Sequence, residues 1–456
     1  MPAFQLEEII GATQAQVVQK GQESFSDVVT DTRKIKEGVL FLALKGERFN
    51  GEDFAMEAME KGAAGVLVSA SAKDETLQGI RGTILKVENT QRAYQQIAHQ
   101  WRSKFHLPVV AVTGSNGKTT TKELVAAVLS AKGPVLKTQA NFNNEIGLPL
   151  TLLGLRKEHT AAVVEIGMRG LHQIEALAPI AAPSVGIVTN VGETHMELLG
   201  SMENIARAKA ELVEAIPAGG TVILNADNEY VAAMRERAAQ GVRVLSFGME
   251  NPADVRGRDI RTEDGVTRFS ADCGGESMEY VLPMAGRHNV YNALAAIATG
   301  MALGLSSEEI HDGLLHSETA KMRFEVQRKG AFRIVNDAYN ASPMSMTAAI
   351  NTLSELAEER KIAVLGDMLE LGAASDDAHY HVGTELAEKK FAAVVTRGEM
   401  GKKIAAGAED GGVKEVYRCA SHEEAAGVLK RILQPGDTVL FKGSRGMQME
   451  KIIDLI

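Results

Sequence analysis

The sequence predicts an α/β protein of three domains, and three observations support this fold class. The chain has 456 residues, which is too many for one compact core. Short apolar runs alternate with helical stretches, the pattern of parallel strands joined by crossover helices. One apolar run continues directly into a glycine-rich turn that opens a helix. We therefore expect domains at residues 1–90, 91–320 and 321–456.

The N-terminal domain is predicted to be a small α/β unit. Its apolar runs indicate strands at Leu40–Leu44, Gly65–Ser69 and Thr83–Val87. The spacing of apolar residues predicts helices at Asp53–Lys61 and Thr90–Phe105. The second of these helices is expected to lead into the next domain.

The central domain is predicted to contain a parallel sheet of the P-loop ATPase type. Its first strand, Val109–Val112, is four consecutive apolar residues, as expected of a strand covered on both faces. The glycine-rich segment Thr113–Thr120 follows, and then the helix Lys122–Ala131, which is expected to stop at the glycine and proline after it. Further strands are predicted at Ala161–Ile166, Val185–Asn190 and Thr221–Asn225.

Strands and helices alternate most regularly in the C-terminal domain, which predicts a Rossmann-like, doubly wound parallel sheet. A capping box is expected at one of its helices, because Ser421 is followed three residues later by Glu424. The predicted strands are Phe332–Asn336, Lys361–Gly366, Ala392–Thr396, Lys414–Arg418 and Thr438–Lys442.

The charge balance argues against nucleic acid as a partner. The net charge is −10 and there is no long run of Lys or Arg, whereas binding to a phosphate backbone needs clustered positive charge. The two cysteines, Cys273 and Cys419, are too few and too far apart for a zinc finger or a disulfide framework. The start of the chain, Met1–Gln16, lacks the pattern of a signal peptide.

Two stretches carry few enough charges to be candidate membrane spans. Ala176–Gly192 contains Pro179 and Pro183, which are expected to break a helix at its centre. Val290–Ser307 is rich in Ala and Gly and too weakly apolar to prefer lipid. Both are expected to be buried segments of a soluble protein without a membrane span.

The segment between Val112 and the following helix has the composition of a phosphate-binding loop. Gly114 and Gly117 allow a tight turn that brings backbone N–H groups close to phosphate oxygens. Lys118 supplies positive charge and Thr119 a hydroxyl for Mg²⁺. The expected ATP-binding residues of the loop are Gly114, Ser115, Asn116, Gly117, Lys118, Thr119 and Thr120.

The loop departs from the usual motif, because two residues rather than four separate its glycines. A glycine turn with an incidental lysine is therefore the alternative interpretation. The buried strand before it and the helix after it favour phosphate binding. The Asn-Lys-x-Asp motif of GTP-binding switches is absent from the chain, which favours ATP.

With this loop, a series of segments resembles the Mur ligase family and the related folylpolyglutamate synthases. The resemblance spans nearly the whole chain and implies an ATP-dependent enzyme that joins a carboxylate to an amine. The segments are Asn141–Pro149, Glu165–Gly167, Asn190–His195, Ala208–Glu211, Asn225–Asn228, Gly286–Asn289 with Asn292, and Lys442–Arg445.

Three further features are similar to the branch of the family that adds a dipeptide to a nucleotide-linked peptide. They are Thr30–Arg33 with Leu40–Phe49, Asp337–Pro343 and Gly366–Gly372. This similarity implies D-alanyl-D-alanine, UDP-N-acetylmuramoyl-tripeptide and ATP as substrates. It also implies an acyl phosphate intermediate, a product that serves peptidoglycan synthesis, a cytoplasmic location and a monomer.

The resemblance also implies roles for individual residues at the reacting end of ATP. Lys118, Glu165, His195 and Lys209 would be catalytic. Thr119 and Glu165 would bind one Mg²⁺ and His195 a second, and Lys209 would carry a carbamate derived from CO₂ that supports the metal. Asn289 and Asn292 would meet the adenine. Arg323, Asp337 and Tyr339 would reach the phosphates and ribose.

Two further groups of residues are assigned to the other substrates by resemblance. Thr30, Asp31, Thr32, Arg33, Lys45 and Asn50 would bind the uridine nucleotide, although Asn50 stands where the family has an aspartate. Asn144, Asn340 and Ser342 would lie on the side of the dipeptide or acceptor.

Taken alone, several of these residues have simpler interpretations. Glu165 would be a solvated carboxylate at a strand end, and His195 a hydrogen-bonding residue. Lys209 would be a surface lysine on the helix Glu203–Ala215, and Asn289 would cap the helix Val290–Ala302.

Three alternative functions also remain open at this stage. The chain could be another carboxylate–amine ligase of the superfamily or a nucleotide-sensing module without catalysis. It could also be a kinase that stops at the phosphorylated carboxylate.

Overall fold

The structure is a computed structural model that describes residues 3–46, 49–263, 265–357 and 359–456. Glu47 and Arg48, which belong to one of the segments that resemble the Mur ligases, lie outside the described residues. The chain forms two compact units. The first comprises Met1–Ala111, Gly133–Ile166 and Glu175–Pro183, and the second Val112–Lys132, Gly167–Ile174 and Ser184–Ile456.

The N-terminal part of the first unit is a five-stranded sheet. Its strands are parallel except for the first, and Phe41, Val66 and Val68 on its faces are buried. In spatial order the strands are Gln16–Gln19, Thr83–Val87, Gly65–Ser69, Leu40–Leu42 and Val28–Val29. Of these, Gly65–Ser69 and Thr83–Val87 match the predicted bounds, and Leu40–Leu42 is shorter than predicted.

The helices of the first unit differ in detail from the prediction. The predicted helix Asp53–Lys61 is a 3₁₀ turn, Gly51–Phe54, followed by an α-helix, Ala55–Glu60. The predicted helix Thr90–Phe105 is confirmed but ends at Ser103, and the indole N–H of its Trp101 donates to the carbonyl of Leu155 at 3.2 Å. The remaining helices and strands of this unit are Leu6–Thr13, Asp74–Leu77, Gly147–Leu153, Phe4–Gln5, Ser24–Phe25, Val135–Lys137 and Ala161–Glu165.

The stretch Ala176–Gly192 is not one continuous helix, as expected, but the break comes just before Pro183 and not at Pro179. Pro179 lies inside the helix Gln173–Ala181, which ends two residues before Pro183. A proline removes one backbone hydrogen bond but fixes φ near its helical value, so a single interior proline can be carried by a helix that has other support.

The central part of the second unit contains parallel strands and an antiparallel ribbon. Val185–Val188, Thr221–Asn225 and Arg243–Gly248 pair in parallel order. Beyond them, Val255–Glu263, Val266–Cys273 and Glu276–Leu282 form the ribbon, whose strands pair antiparallel. The sequence did not predict the ribbon, since the exposed face of Val255–Glu263 carries charged residues in place of an apolar run. The helices here are Lys118–Leu129, Met196–Leu199, Met202–Glu214, Glu229–Ala233, Arg287–Ala302 and Ser307–Leu315.

Val290–Ser307 lies largely within the helix Arg287–Ala302, whose residues from Ala293 to Gly300 are buried in protein. No helix in the described part of the chain is long and apolar enough to cross a membrane.

The C-terminal part of the second unit is a six-stranded sheet with an apolar core on each face. Its strands are parallel except for the first, which confirms the doubly wound fold. In spatial order they are Glu325–Lys329, Phe332–Asp337, Thr438–Lys442, Lys361–Gly366, Ala393–Arg397 and Glu415–Cys419. Its helices are Pro343–Leu356, Ser375–Glu388, Gly401–Asp410, His422–Ile432 and Glu450–Leu455.

The capping box predicted at Ser421 is only half formed. The Ser421 hydroxyl accepts a hydrogen bond from the Glu424 N–H at 3.1 Å. The Glu424 carboxylate accepts from the N–H of Ala420, one residue before the cap, instead of closing the box on Ser421.

Candidate functional site

The phosphate loop follows the strand Val109–Thr113 and requires glycine at both of its glycine positions. Gly114 and Gly117 have φ values of 148° and 81°. A Cβ atom at Gly114 would lie 1.9 Å from the Thr189 hydroxyl, and one at Gly117 would lie 2.5 Å from the Asn292 side-chain oxygen. Any side chain would therefore push the loop away from the strand end and helix against which it packs.

Side-chain and backbone hydrogen bonds fix the loop before any ligand binds. The Ser115 hydroxyl donates to the Gly192 carbonyl and accepts from the Gly192 N–H, each at 2.9 Å. The Asn116 N–H donates to the Asn190 side chain at 2.9 Å. The Thr189 hydroxyl donates to the Asn116 carbonyl at 2.6 Å. The segment after Val185–Val188 thus holds the loop open.

Lys118 begins the helix Lys118–Leu129 and turns back over the loop. Its Nζ donates to the carbonyl of Gly114 at 2.8 Å and to that of Ser115 at 3.3 Å. The ammonium group and the N-terminal N–H groups of the helix therefore converge on the same loop, an arrangement that attracts phosphate. These observations favour the phosphate-binding interpretation over a glycine turn with an incidental lysine.

A cavity of about 500 Å³ opens beside the loop. Residues from the loop, the central strands and the C-terminal sheet line it, so it can hold a ligand much larger than a phosphate. Its lining includes Asn116, Gly117, Thr119, Thr120, Asn225, Asp227, Arg287, His288, Asn289, Tyr291, Asn292, Arg323, Asp337, Asn351, Thr352 and Lys442.

Asn289 and Asn292 connect the cavity wall to the helix that follows the loop. The Asn292 side-chain oxygen accepts from the Thr121 hydroxyl at 3.1 Å, and its amide donates to Asn289 at 3.1 Å. Both asparagines are buried. The interpretation of Asn289 as a helix cap is wrong, because the helix starts at Arg287 and Gly286 is its N-cap.

Arg323 presents an unpaired hydrogen-bond donor at the cavity. Its guanidinium group lies 4.1 Å from the centre of the Tyr339 ring, and one terminal nitrogen donates to the Thr119 hydroxyl at 3.4 Å. Its Nε atom is buried and has no hydrogen-bond partner among the described residues. A buried cationic donor without a partner is costly, and an anionic ligand would satisfy it.

Asp337 is held beside the cavity by Lys442, which the sequence analysis did not assign to the site. The Asp337 carboxylate accepts from Lys442 Nζ at 2.5 Å and from the Phe324 N–H at 3.1 Å. Burial lowers the pKa of Lys442, and the charge of Asp337 opposes this shift. Lys442 lies in a segment that resembles the Mur ligases, and that segment was the only available signal.

His195 lies in a second cluster with two charged residues. Its Nδ1 is 2.6 Å from Glu370 Oε2, and Glu370 Oε1 accepts from Arg169 at 2.6 Å. Burial lowers the pKa of His195, and the hydrogen bond to Glu370 opposes this shift. Neither Arg169 nor Glu370 was assigned to the site from the sequence.

Lys209 is buried on the helix Met202–Glu214, with 2% of its surface exposed. The interpretation as a surface lysine is therefore wrong. Burial first, and then the positive charge of Lys118, hold the pKa of Lys209 well below its usual range. Such an environment disfavours the charged form of a lysine relative to the neutral amine.

Glu165 and Asn144 belong to the first unit. Glu165 ends the strand Ala161–Glu165 and is buried, and its carboxylate accepts from the Asn143 side chain at 2.8 Å, so it is not a solvated carboxylate. The Asn144 side chain is exposed and accepts from the N–H of Gly147, the first residue of the helix Gly147–Leu153, at 2.9 Å.

Ser342 and Asn340 lie near the phosphate loop and the Asp337–Lys442 pair. The Ser342 hydroxyl donates to the Asn116 side chain at 3.0 Å and caps the helix Pro343–Leu356. The Asn340 carbonyl accepts from Lys442 Nζ at 3.0 Å. Both residues lie where the chain enters the first helix of the C-terminal sheet.

The loops proposed for the uridine nucleotide follow the carboxyl ends of two neighbouring parallel strands, Val28–Val29 and Leu40–Leu42. The Asp31 carboxylate pairs with exposed Arg33 at 2.8 Å, and this hydrogen bond lowers the Asp31 pKa to about 2. Lys45 and Asn50 face each other in an antiparallel bridge. In open sheets, ligands commonly bind at such carboxyl ends.

Three family models match the chain in succession. They are the Mur ligase family catalytic domain at residues 25–102, the Mur ligase middle domain at 112–300 and the Mur ligase glutamate ligase domain at 322–445. Together they cover the phosphate loop, the cavity lining and the loops at the N-terminal sheet.

Relatives match over most of their length. A UDP-N-acetylmuramoyl-tripeptide–D-alanyl-D-alanine ligase from Bacillus subtilis is 38% identical over 94% of this chain and 93% of its own. One from Escherichia coli is 36% identical over 93% of this chain and 92% of its own. The crystal structure of MurF from Acinetobacter baumannii has a TM-score of 0.91 at 33% identity, and covers 100% of this chain and 99% of its own. MurF from Thermotoga maritima in complex with ADP has a TM-score of 0.84 at 29% identity, and covers 94% of this chain and 96% of its own.

Proposed function

Because this chain belongs to the Mur ligase family, we propose that it is an ATP-dependent ligase that joins D-alanyl-D-alanine to UDP-N-acetylmuramoyl-tripeptide. The products would be the nucleotide-linked pentapeptide precursor of peptidoglycan, ADP and phosphate. The observation that carries this proposal is the match to ligases of this activity over 93–94% of the chain. The phosphate loop with its adjoining cavity supports it independently.

The chemistry starts from a carboxylate, which is a poor electrophile toward an amine in water. An oxygen of the tripeptide carboxylate attacks the γ-phosphorus of ATP, and the bond to the bridging oxygen of ADP breaks. The amine of D-alanyl-D-alanine then attacks the carbonyl carbon of the acyl phosphate, phosphate leaves, and the amine nitrogen loses a proton to give the amide. Both steps depend on positioning and on neutralising negative charge.

Several side chains are suited to that neutralisation. Lys118 and the N–H groups of the phosphate loop would bind the β- and γ-phosphates of ATP. Arg323 would donate its unpaired Nε to an anionic group in the cavity. Asn289 and Asn292 would face the adenine, and Asp337 of the cavity wall, with Tyr339 packed on Arg323, would lie toward the ribose and phosphates.

Mg²⁺ would assist this step by neutralising charge on the transferred phosphoryl group. Each residue assigned to Mg²⁺ carries an atom that can bind a metal ion. The Thr119 hydroxyl lies at the first turn of the helix after the loop, and the Glu165 carboxylate is buried at the end of its strand. Both offer oxygen ligands, which Mg²⁺ prefers, whereas His195 would supply a less usual nitrogen ligand.

Lys209 fits the proposed carbamate. Carbamate formation requires an unprotonated amine, because the nitrogen lone pair attacks CO₂ and a proton then leaves. Burial and the charge of Lys118 both hold the pKa of Lys209 well below its usual range, which favours that form. The resulting anionic group would balance the cationic environment and help to hold Mg²⁺.

The other substrates are assigned to separate groups of residues. We place the uridine nucleotide at Thr30, Asp31, Thr32, Arg33, Lys45 and Asn50, and the dipeptide or acceptor near Asn144, Asn340 and Ser342. Three functional domains at residues 1–90, 91–320 and 321–456 would then serve the nucleotide-linked substrate, ATP and ligation. We further propose that the enzyme acts as a monomer in the cytoplasm, where ATP and UDP-linked precursors are available.

The decisive experiment is the mass of the product formed from UDP-N-acetylmuramoyl-tripeptide, ATP and D-alanyl-D-alanine. We expect the pentapeptide product and one ADP per amide bond. Turnover only with a different carboxylate and amine would indicate another ligase of the family. ADP formation without the amine would indicate a kinase, and ATP binding without any turnover would indicate a sensor.

A further inference from the structure

The segment Gly366–Gly372 brings a carboxylate from the C-terminal sheet to His195. Glu370 is 175 positions away in sequence, and its Oε2 lies 2.6 Å from His195 Nδ1. Its Oε1 accepts from Arg169 at 2.6 Å, so both carboxylate oxygens are engaged. Because Nδ1 is the ring nitrogen that faces Glu370, Nε2 is the nitrogen left for other partners.

The loop that carries Glu370 is held by three hydrogen bonds from neighbouring elements. The Met368 N–H donates to Nε2 of the buried His379 at 2.8 Å. The Leu369 N–H donates to the Ser444 hydroxyl at 2.8 Å. The Asp367 carboxylate accepts from the Gly401 N–H at 2.7 Å. The position of the Glu370 carboxylate is therefore built into the C-terminal sheet.

The backbone at both partners is unusual. His195 has φ of 58° and Glu370 has φ of 65°, and neither residue is glycine. The Glu370 carbonyl also accepts from the Glu197 N–H at 3.3 Å, which ties the two loops together beside the side-chain contact. Left-handed non-glycine residues persist where surrounding structure stabilises them, and such residues are concentrated at functional sites.

We propose that Glu370 is a positioning residue that accepts the Nδ1–H of His195 and so keeps Nε2 unprotonated and aimed at the reacting groups. This inference rests on the proposed function. A carboxylate on the second nitrogen of a functional histidine fixes both the tautomer and the orientation of the ring. Arg169 would hold the carboxylate in place through its contact with Oε1. Glu370 itself would not contact the reacting atoms.

The test compares Glu370→Ala and Glu370→Gln in the full-length protein. Glutamine can still accept the Nδ1–H through its amide oxygen, whereas alanine cannot. We expect kcat to fall about 10–100-fold in Glu370→Ala and less in Glu370→Gln, while KM for ATP stays within about twofold. The control is Glu409→Ala, since Glu409 is also paired with an arginine, Arg418, but is exposed near the end of the helix Gly401–Asp410.

A second measurement separates positioning from a general loss of structure. ¹⁵N NMR of histidine-labelled protein without substrates, with the His195 signals assigned from His195→Gln, reports which ring nitrogen carries the proton. We expect the Nδ1–H form in the wild type and in Glu370→Gln, and a mixture in Glu370→Ala. An unchanged His195 spectrum in Glu370→Ala would overturn the proposal. So would a higher KM for tripeptide or dipeptide at unchanged kcat, which would make Glu370 a substrate ligand.

Failure of this inference can be told apart from failure of the proposed function. The NMR readout needs no substrate, so a change of tautomer in Glu370→Ala would support the contact even if the expected pentapeptide did not form. Conversely, full ligase activity with an unchanged tautomer would leave the function standing and remove the role of Glu370.

Discussion

The phosphate-loop region and the loops after the N-terminal strands differ in how their polar side chains are hydrogen-bonded within the protein. Around the phosphate loop the hydrogen bonds join residues far apart in sequence, such as Ser115 with Gly192 and Ser342 with Asn116. In the N-terminal loops the hydrogen bond between Asp31 and Arg33 is local and exposed, and the longer-range bond from Lys61 to the Thr32 carbonyl, at 3.5 Å, is exposed as well. The first region is therefore organised by the fold before a ligand arrives, whereas the second has exposed side chains that a ligand would order.

The same contrast appears in the electrostatics. Burial is the main cause of the shifted pKa values of His195 and Lys209. The pKa of Asp31 is lowered instead by an exposed partner, Arg33. We therefore expect changes in the first region to affect kcat or folding, and changes in the second to affect KM alone.

The largest effect is expected for Lys118→Ala. This change removes the ammonium group over the phosphate loop, so ATP turnover should fall roughly 1000-fold or more, because a charge aimed at the transferred group is lost. The fold should remain, since the loop keeps its bonds to Gly192 and Asn190. Coupled measurement of ADP release and circular dichroism would check both points.

Lys132→Ala is the matched control, because Lys132 lies just beyond the same helix, is half-exposed and pairs with Glu309. It should turn over ATP like the wild type. An active Lys118→Ala enzyme would contradict the assignment of this loop to the phosphates of ATP. The comparison between the phosphate-loop region and the N-terminal loops would then lose its basis.

The second largest effect is expected for Lys209→Ala. If the buried lysine acts as a carbamate, activity should fall about 100-fold, and acetate or bicarbonate-like anions should partly restore it by occupying the vacated space. The control is Arg207→Ala, since Arg207 is exposed on the same helix. Equal activity of mutant and wild type would eliminate the carbamate, and the measurement is ADP release with and without added anion.

The features that the sequence predicted correctly are those that local residue patterns determine. Gly114, Gly117 and Lys118 could be assigned because a buried strand, a glycine turn and a helix follow one another directly. The strands Gly65–Ser69 and Thr438–Lys442 could be bounded because their residues are apolar and both ends carry turn signals. These features depend on neighbours within a few residues.

The sequence did not predict what depends on distant contacts. Glu370 reaches His195 through a loop whose backbone is fixed by His379 and Ser444, and no local pattern encodes that arrangement. The burial of Lys209 was also unexpected, because lysines are mostly exposed and the helix pattern alone does not show what covers one. Resemblance implied roles for Lys209 and His195, whereas Glu370 lay in a resembling segment, Gly366–Gly372, without an assigned role.

Arg33→Ala tests the other side of the comparison and should have a smaller effect. Loss of one charge-assisted contact should raise KM for the UDP-linked substrate about tenfold while kcat stays within about twofold. Arg81→Ala is the control, as Arg81 is an exposed arginine in the same unit. Steady-state kinetics with the UDP substrate varied would check this. A fall in kcat at unchanged KM would mean that the N-terminal loops take part in the chemical step.

The smallest effect concerns His288, which lines the cavity and is only partly exposed. Burial lowers the pKa of His288 to about 4, with Asp337 opposing the shift and Lys442 adding to it. Above the ordinary value of about 6.5 the imidazole is neutral in both the folded and unfolded chain. As the pH falls below 6.5 only the unfolded chain takes up the proton, so stability is lost progressively until pH 4.

A pKa difference of this size corresponds to ~3 kcal/mol at most, and partial exposure should reduce it to about 1–2 kcal/mol. The His288→Gln protein should therefore lose less thermal stability than the wild type between pH 7.5 and 5, by about 1–3 °C in Tm for a chain of 456 residues. In the control His106→Gln, at an exposed position, Tm should change with pH as it does in the wild type. Identical pH profiles for His288→Gln and wild type, measured by differential scanning calorimetry, would show that the cavity wall is as solvated as the N-terminal loops. The cavity wall at His288 would then have to be grouped with the loops that a ligand orders, and not with the region that the fold organises beforehand.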